Sequence, residues 1–229
     1  MKRIIIVLFY LFSYLSAFSQ DWSAGYSFGY GTYQLDDIKA IQNSIQRYMD
    51  QFGAKTIENF PGWYTHTGNI GYITNHHHFG IIFSYLTTGG RSGVTDYSGS
   101  YYTNITMNGY RLGAFYRYYI NIGLSKLNIY LQASPGIMFS TMKITESINV
   151  GTESDSYREK MISLAAYIEP TAGIIYHFTD WLSVSVSGGY EADFLGKLMT
   201  TTGDKSNLKS HWNGLRVYAG LQLTLPSNR

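Results

Sequence analysis

The chain has no cysteine, which excludes disulfide staples, thiol nucleophiles and a lipid anchor on an N-terminal cysteine. Proline is nearly as scarce, at four residues in 229, so little interrupts a long hydrogen-bonded ladder. Charge is thin too: Asp, Glu, Lys and Arg make up 14% of the chain, against about 25% in ordinary soluble domains. The net charge of +2 is too small to point to nucleic acid or an acidic partner. After residue 20 no apolar run approaches the ~20 residues of a membrane-spanning helix. Residence in a membrane would therefore have to be achieved with strands.

Aromatics are abundant, at 17% with 22 Tyr, and the 24 Gly are spread through strand-like segments rather than gathered in a linker. Amphipathic rings suit a membrane interface and glycine suits crowded strand interiors. Lys2 and Arg3, the apolar stretch Ile4 to Phe12, and Ala17-Phe18-Ser19 have the layout of a secretory signal. Residues 1–19 are thus expected to be a signal peptide, with 20–229 forming one domain that begins at Gln20.

Leu182 to Phe194 shows how the rest is organised. Leu182, Val184, Val186, Tyr190, Ala192 and Phe194 alternate with Ser183, Ser185, Ser187, Gly189, Glu191 and Asp193. A strand sends these two sets to opposite faces, one oily and one polar. Eight segments alternate in this way: Trp22 to Tyr33, Trp63 to Thr74, His77 to Thr88, Tyr102 to Ile120, Leu127 to Lys143, Arg158 to Phe178, Leu182 to Phe194 and Trp212 to Leu225. Connections after the second, fourth and sixth are short, and those after the others are expected to be long and polar. The predicted fold is all-β, an eight-stranded antiparallel up-and-down transmembrane barrel with lipid outside and a polar interior.

The closing strand, Tyr218-Ala219-Gly220-Leu221-Gln222-Leu223-Thr224-Leu225, fits a polar-x-Gly-x-x-apolar-x-apolar pattern. In topology and in this pattern, from Gln20 to Leu225, the chain resembles the small eight-stranded barrels of the OmpA transmembrane-domain and OmpX type. The resemblance implies residence in the outer membrane of a diderm bacterium, contact with its lipid, and presentation of Tyr218, Gly220, Leu223 and Leu225 to the barrel assembly machinery. The chain departs from that pattern by continuing from Pro226 to Arg229 instead of ending on an aromatic residue. Pro135 and Pro170 fall inside the fifth and sixth segments, where a shared bulge or kink across one hairpin is expected.

Six inward charges, Arg111, Arg117, Glu169, Glu191, Asp193 and Arg216, form the candidate site. Counting about Asp180 sets Glu169 opposite Glu191, and a turn at Gly203-Asp204 would set Glu191 opposite Arg216, with strand-one glycines making room for the arginine. Such a set serves either as a charged filter or proton relay, or as a salt-bridged plug. The plug is favoured because a barrel of eight strands is barely wide enough for its own side chains. His76-His77-His78 invites a metal, but consecutive strand residues point to opposite faces, so no metal or cofactor is expected. Ser163, Ser183, Ser185 and Ser187 face inward with no histidine at a useful spacing, so no enzyme is expected.

Asp36 to Phe52 is the one helical stretch. Ile38, Ile41, Ile45, Tyr48, Met49 and Phe52 recur at helical spacing, Asp36 or Asp37 can cap the start, and Gly53 ends it. Its oily face is expected to fold onto the barrel mouth with Phe60 and Trp63, the other roles being a ridge for a partner or a helix lying in the lipid interface. The functional expectation is a monomeric, non-enzymatic barrel acting through external loops on an extracellular partner, by adhesion, partner binding or envelope support. A narrow channel or passage for small or hydrophobic compounds is the alternative, and a lipid-modifying or proteolytic barrel enzyme is a third, less favoured reading.

Overall fold

The computed structural model describes residues 21–50, 53, 55–97, 99–200 and 203–225. The expected signal peptide and the segment after Leu225 lie outside these residues. The elements run β1 (Asp21–Gly31), α1 (Asp36–Met49), β2 (Lys55–Asn59), β3 (Trp63–Thr74), β4 (His77–Thr95), β5 (Gly99–Leu124), β6 (Leu127–Val150), β7 (Glu153–His177), β8 (Leu182–Phe194), β9 (Lys197–Thr200), β10 (Lys205–Lys209) and β11 (Gly214–Leu225).

Eight of these strands close a ring. β1 is antiparallel to both β3 and β11, β3 to β7 pair in sequence order, and β8 pairs with both β7 and β11. Every strand of the ring therefore has two partners and no edge is left open in it. The period-two pattern explains which surface is which. Val186, Ile81 and Leu164 point outward and are 62%, 59% and 58% exposed, while Ser183 and Glu191 on the same kind of strand are buried inside. An apolar belt of this extent is not left facing water, and the ring has the architecture of an outer-membrane barrel. Exposed rings edge the belt at both ends, Trp22, Tyr116, Tyr118, Tyr176 and Trp181 at one and Tyr30, Tyr64, Tyr110 and Tyr190 at the other.

Tight turns collect at the first end. β3 and β4 meet at Asn75-His76, where Asn75 has φ 51, the left-handed conformation that two-residue hairpin turns favour and asparagine tolerates. Short connections also join β5 to β6 and β7 to β8, and the described chain begins and ends here. By the usual asymmetry of such barrels this is the periplasmic side.

The opposite end differs from the sequence expectation. Only the connections after β1 and β8 are long, and they hold α1 with β2, and β9 with β10. Elsewhere the ladder simply continues: β4, β5, β6 and β7 have 19, 26, 24 and 25 residues, whereas about 9–11 suffice to cross a bilayer. Backbone pairing does not need an oily face, so it persists past the membrane where the hydrophobic alternation fades. β2 pairs with β4, and β9 with β7 and β10, widening this projecting sheet.

The prolines correct another expectation. Pro135 lies opposite Ile168 and Pro170 opposite Ala133, and the β6–β7 register runs unbroken with no bulge. Each proline instead interrupts the ladder on its other side, Pro135 toward β5 and Pro170 toward β8, without shifting register there. One missing donor per ladder is the expected cost of a proline.

Candidate functional site

Read from outside to inside along β5, the inward side chains are Met107, Gly109, Arg111, Gly113, Phe115, Arg117 and Tyr119. They mark three layers across the lumen.

The outer layer is apolar. Tyr33, Leu35, Ile38 and Phe60 of the first external segment and Trp212 before β11 pack on Leu86, Met107, Met138, Met142 and Leu198. Trp212 is fully buried; its Nε1 donates to Ser140 Oγ at 2.9 Å, and its ring meets Tyr33 edge-on at 5.1 Å. The sequence pattern assigned Trp212 to the last strand, but it precedes that strand and fills the mouth. Leu35 and Phe60 both occupy the left-handed region, at φ 45 and 46. That conformation costs roughly 1–2 kcal/mol in a branched or bulky residue, and burial of both side chains in the plug holds it in place.

Because Leu35 turns into the core, neither Asp36 nor Asp37 caps α1; both sit in its first turn, where they favour the helix dipole. The predicted Ile38 is buried, Ile41 packs at the edge of the cluster and Ile45 is half-buried. Tyr48 and Met49 fall in the last turn, and Phe52 lies outside the described residues. Phe60 joins the plug, whereas Trp63 stays 45% exposed. Gln42 was not foreseen: it is buried on the helix and donates to Glu58 O at 2.5 Å and Ser92 Oγ at 3.2 Å, tying α1 to β2 and β4.

The middle layer holds the charges. Glu169 and Glu191 lie between the paired positions Ile168–Ala192 and Thr171–Gly189 on neighbouring strands, and Arg111 reaches across the lumen to donate from Nη1 to both carboxylates. Arg216 adds a second cation, with Nη2 3.2 Å from Glu191 Oε2 and 2.8 Å from Trp212 O. Tyr218 completes the layer: its hydroxyl donates to Glu169 Oε2 at 3.2 Å and accepts from Arg111 Nη2 at 3.2 Å. Two cations and two anions, all nearly inaccessible, balance one another, as buried charges must.

Two of the six predicted charges stand apart. Arg117 belongs to the third layer, where it donates to Gln132 Oε1 at 2.8 Å and Gln222 Oε1 at 3.0 Å and lies 4.3 Å from the Tyr130 ring centroid. Among the described residues it makes no ion pair; amide oxygens and ring faces carry the charge. Asp193 stays at the mouth, accepting from Trp212 N at 3.1 Å and lying 3.3 Å from His211 Nδ1. Between the middle and third layers a pocket of about 30 Å3, lined by Ser27, Thr67, Asn69, Gln132 and Thr171 among others, has room for one or two waters.

The histidine run splits as strand geometry requires. His78 points inward to Ser23 Oγ at 2.7 Å and Tyr119 OH at 3.0 Å, His77 points outward to Tyr116 OH at 2.8 Å, and His76 is in the turn. One serine–histidine contact corrects the sequence reading: Ser183 Oγ lies 2.8 Å from His177 Nδ1, with Asn128 Nδ2 3.2 Å from the other ring nitrogen. Ser183 is 2% exposed and Asn128, an amide, faces the other ring nitrogen, so His177 has a polar partner at both nitrogens at the periplasmic end. In the closing strand Tyr218 and Gly220 face the lumen while Leu223 and Leu225 face outward.

No protein-family model matches the chain, and no curated protein matches it. Solved structures that align with it include Neisserial surface protein A, at 12% identity and a TM-score of 0.44 over 91% of this chain and 98% of that one. Ail, the attachment invasion locus protein of Yersinia pestis, aligns at 15% identity and a TM-score of 0.35 over 90% and 97%. The N-terminal β-barrel domain of Pseudomonas aeruginosa OprF aligns at 13% identity and 0.33 over 88% and 97%. The barrel assignment rests on the closed register described above.

Proposed function

We propose that this protein is a sealed, non-enzymatic outer-membrane barrel whose work is done by the sheet it projects from the cell surface, in adhesion or partner capture. The observation that carries this reading is the occupation of the lumen at three heights, by the Trp212 plug, the Arg111–Glu169–Glu191–Arg216 layer and the Arg117 layer. An ion would have to displace paired buried charges to pass, at a cost of several kcal/mol. The projecting β6–β7 hairpin supports a surface role. Its lumen-side face carries the exposed apolar residues Ile148, Val150 and Tyr157 among Glu146, Glu153 and Asp155, a mixture suited to a basic protein surface with apolar side chains.

Refolded barrel in planar bilayers tests this directly. No steady single-channel conductance is expected. A reproducible steady conductance from correctly folded protein would overturn the sealed reading in favour of a narrow passage.

A further inference from the structure

The β6–β7 hairpin is charged differently on its two faces. Residues that alternate toward the lumen side are Glu146 on β6 and Glu153, Asp155 and Glu159 on β7, whereas those on the outer side are Lys143 on β6 and Arg158 and Lys160 on β7. Lys143 lies directly opposite Lys160, and Arg158 is opposite Thr145, one step further out. All three cations are exposed, and none makes an ion pair among the described residues. Lys197 on β9, exposed and one residue beyond the Ser163–Leu198 pair, extends the stripe downward. β5, β9 and β10 contain no acidic residue. Lys209 on β10 lies directly opposite Lys197, and its backbone N–H donates to Asp37 Oδ2 at 2.8 Å.

Two like charges directly across a strand pair repel and destabilise the sheet. Among the described residues no ion pair on this face neutralises them, so the arrangement is one that a ligand of opposite charge would explain. Height identifies the ligand. The outward residues below the pair are Thr141 and Ile162, then Phe139 and Leu164 of the oily belt. Four residues along a strand tilted near 40° rise ~10 Å, which places the ammonium groups at the level of lipid headgroups, with their alkyl stems able to reach down toward the belt.

We infer that Lys143, Arg158 and Lys160, with Lys197 beneath them, form a binding face for the phosphates of outer-leaflet glycolipid. The inference rests on the orientation that puts the tight turns in the periplasm and is independent of whether the lumen conducts. The lipid holds the hairpin by its outer face and leaves the acidic, apolar face turned toward the space above the lumen. Basic side chains at an anionic lipid surface act nearly additively, so each cation is worth roughly fivefold in affinity.

The test titrates the detergent-refolded barrel with diphosphoryl lipid A and reads the lipid-bound fraction by native mass spectrometry, with heat-dependent gel mobility as the check on folding. Wild-type protein should bind the diphosphoryl lipid at least tenfold more tightly than the same lipid stripped of phosphate. Inorganic phosphate at matched concentration should compete poorly, since it lacks the acyl chains that seat against Phe139 and Leu164. The triple variant Lys143→Gln/Arg158→Gln/Lys160→Gln should lose about a hundredfold, while Glu146→Gln/Glu159→Gln on the other face should keep wild-type binding. Lys160→Gln alone should weaken lipid binding about fivefold yet raise resistance to urea, because it removes the repulsion with Lys143; a residue serving only the fold would not move the two readouts in opposite directions. Equal binding of both lipids by wild type, or unchanged binding by the triple variant, overturns the assignment.

Discussion

Arg216 meets Glu191 on the diagonal: the residue directly across from Arg216 on β8 is Gly189, and its Nη2 reaches two residues along to the Glu191 carboxylate at 3.2 Å. Their coupling is measurable by a double-mutant cycle in urea titrations of the refolded barrel. Arg216→Ala in the wild-type background should cost more than Arg216→Ala placed on Glu191→Gln, because the first leaves a buried carboxylate short of a partner. Independent addition of the two effects would mean that the contact carries no energy.

Arg111 carries the larger burden, since among the described residues it alone pairs with both Glu169 and Glu191. Arg111→Leu is expected to destabilise by ~3–5 kcal/mol, the range for stranding buried charge, and Glu169→Gln added to it should restore part of the loss. A loss under about 1 kcal/mol would show that Tyr218 and Arg216 suffice to hold both carboxylates.

Close approach sets a third prediction. A Cβ on Gly31 would sit 2.7 Å from Arg216 Cδ and 3.0 Å from its Nε, so Gly31→Ala must push the arginine off Glu191. A cost of ~1–3 kcal/mol is expected, as for other overpacked sites, and it should shrink when measured on an Arg216→Ala background.

Facing is tested by a pair of adjacent substitutions. Val186→Arg places a charge on the lipid side near mid-height and should cost ~2–4 kcal/mol in a bilayer refolding titration, with Ser185→Arg on the lumen side giving a different and smaller effect. Equal tolerance at the two positions would rule out the facing assigned here.

These predictions lean on features of unequal visibility in the sequence. Strand faces were legible because Leu182 to Phe194 alternates without a slip, and lipid on one side with side-chain packing on the other enforces that period. The end of each strand was not, since past Thr88 and Lys143 the oily face disappears while backbone pairing goes on. Arg216 was placed on the correct face but two residues out of register, because the β9–β10 insertion makes the loop asymmetric about Gly203. The Ser183–His177 contact was within reach: the same count about Asp180 that sets Glu169 across from Glu191 sets Ser183 across from His177. Gln42 gave no periodic signal and Trp212 was read as the start of the last strand, because each is fixed by a plug assembled from segments far apart in the chain.

The continuation of β4 to β7 beyond the membrane bears on how the protein survives outside the cell. Proteases need several residues of unpaired, extended chain to engage a cleavage site, and local opening must first supply them. β6 and β7 are joined only by Gly151 and Thr152, with every residue from Lys143 to Val150 still paired to its neighbour across the hairpin. This hairpin therefore meets the environment as backbone already committed to a sheet, and it can be displayed far from the membrane with little loose chain of its own for digestion.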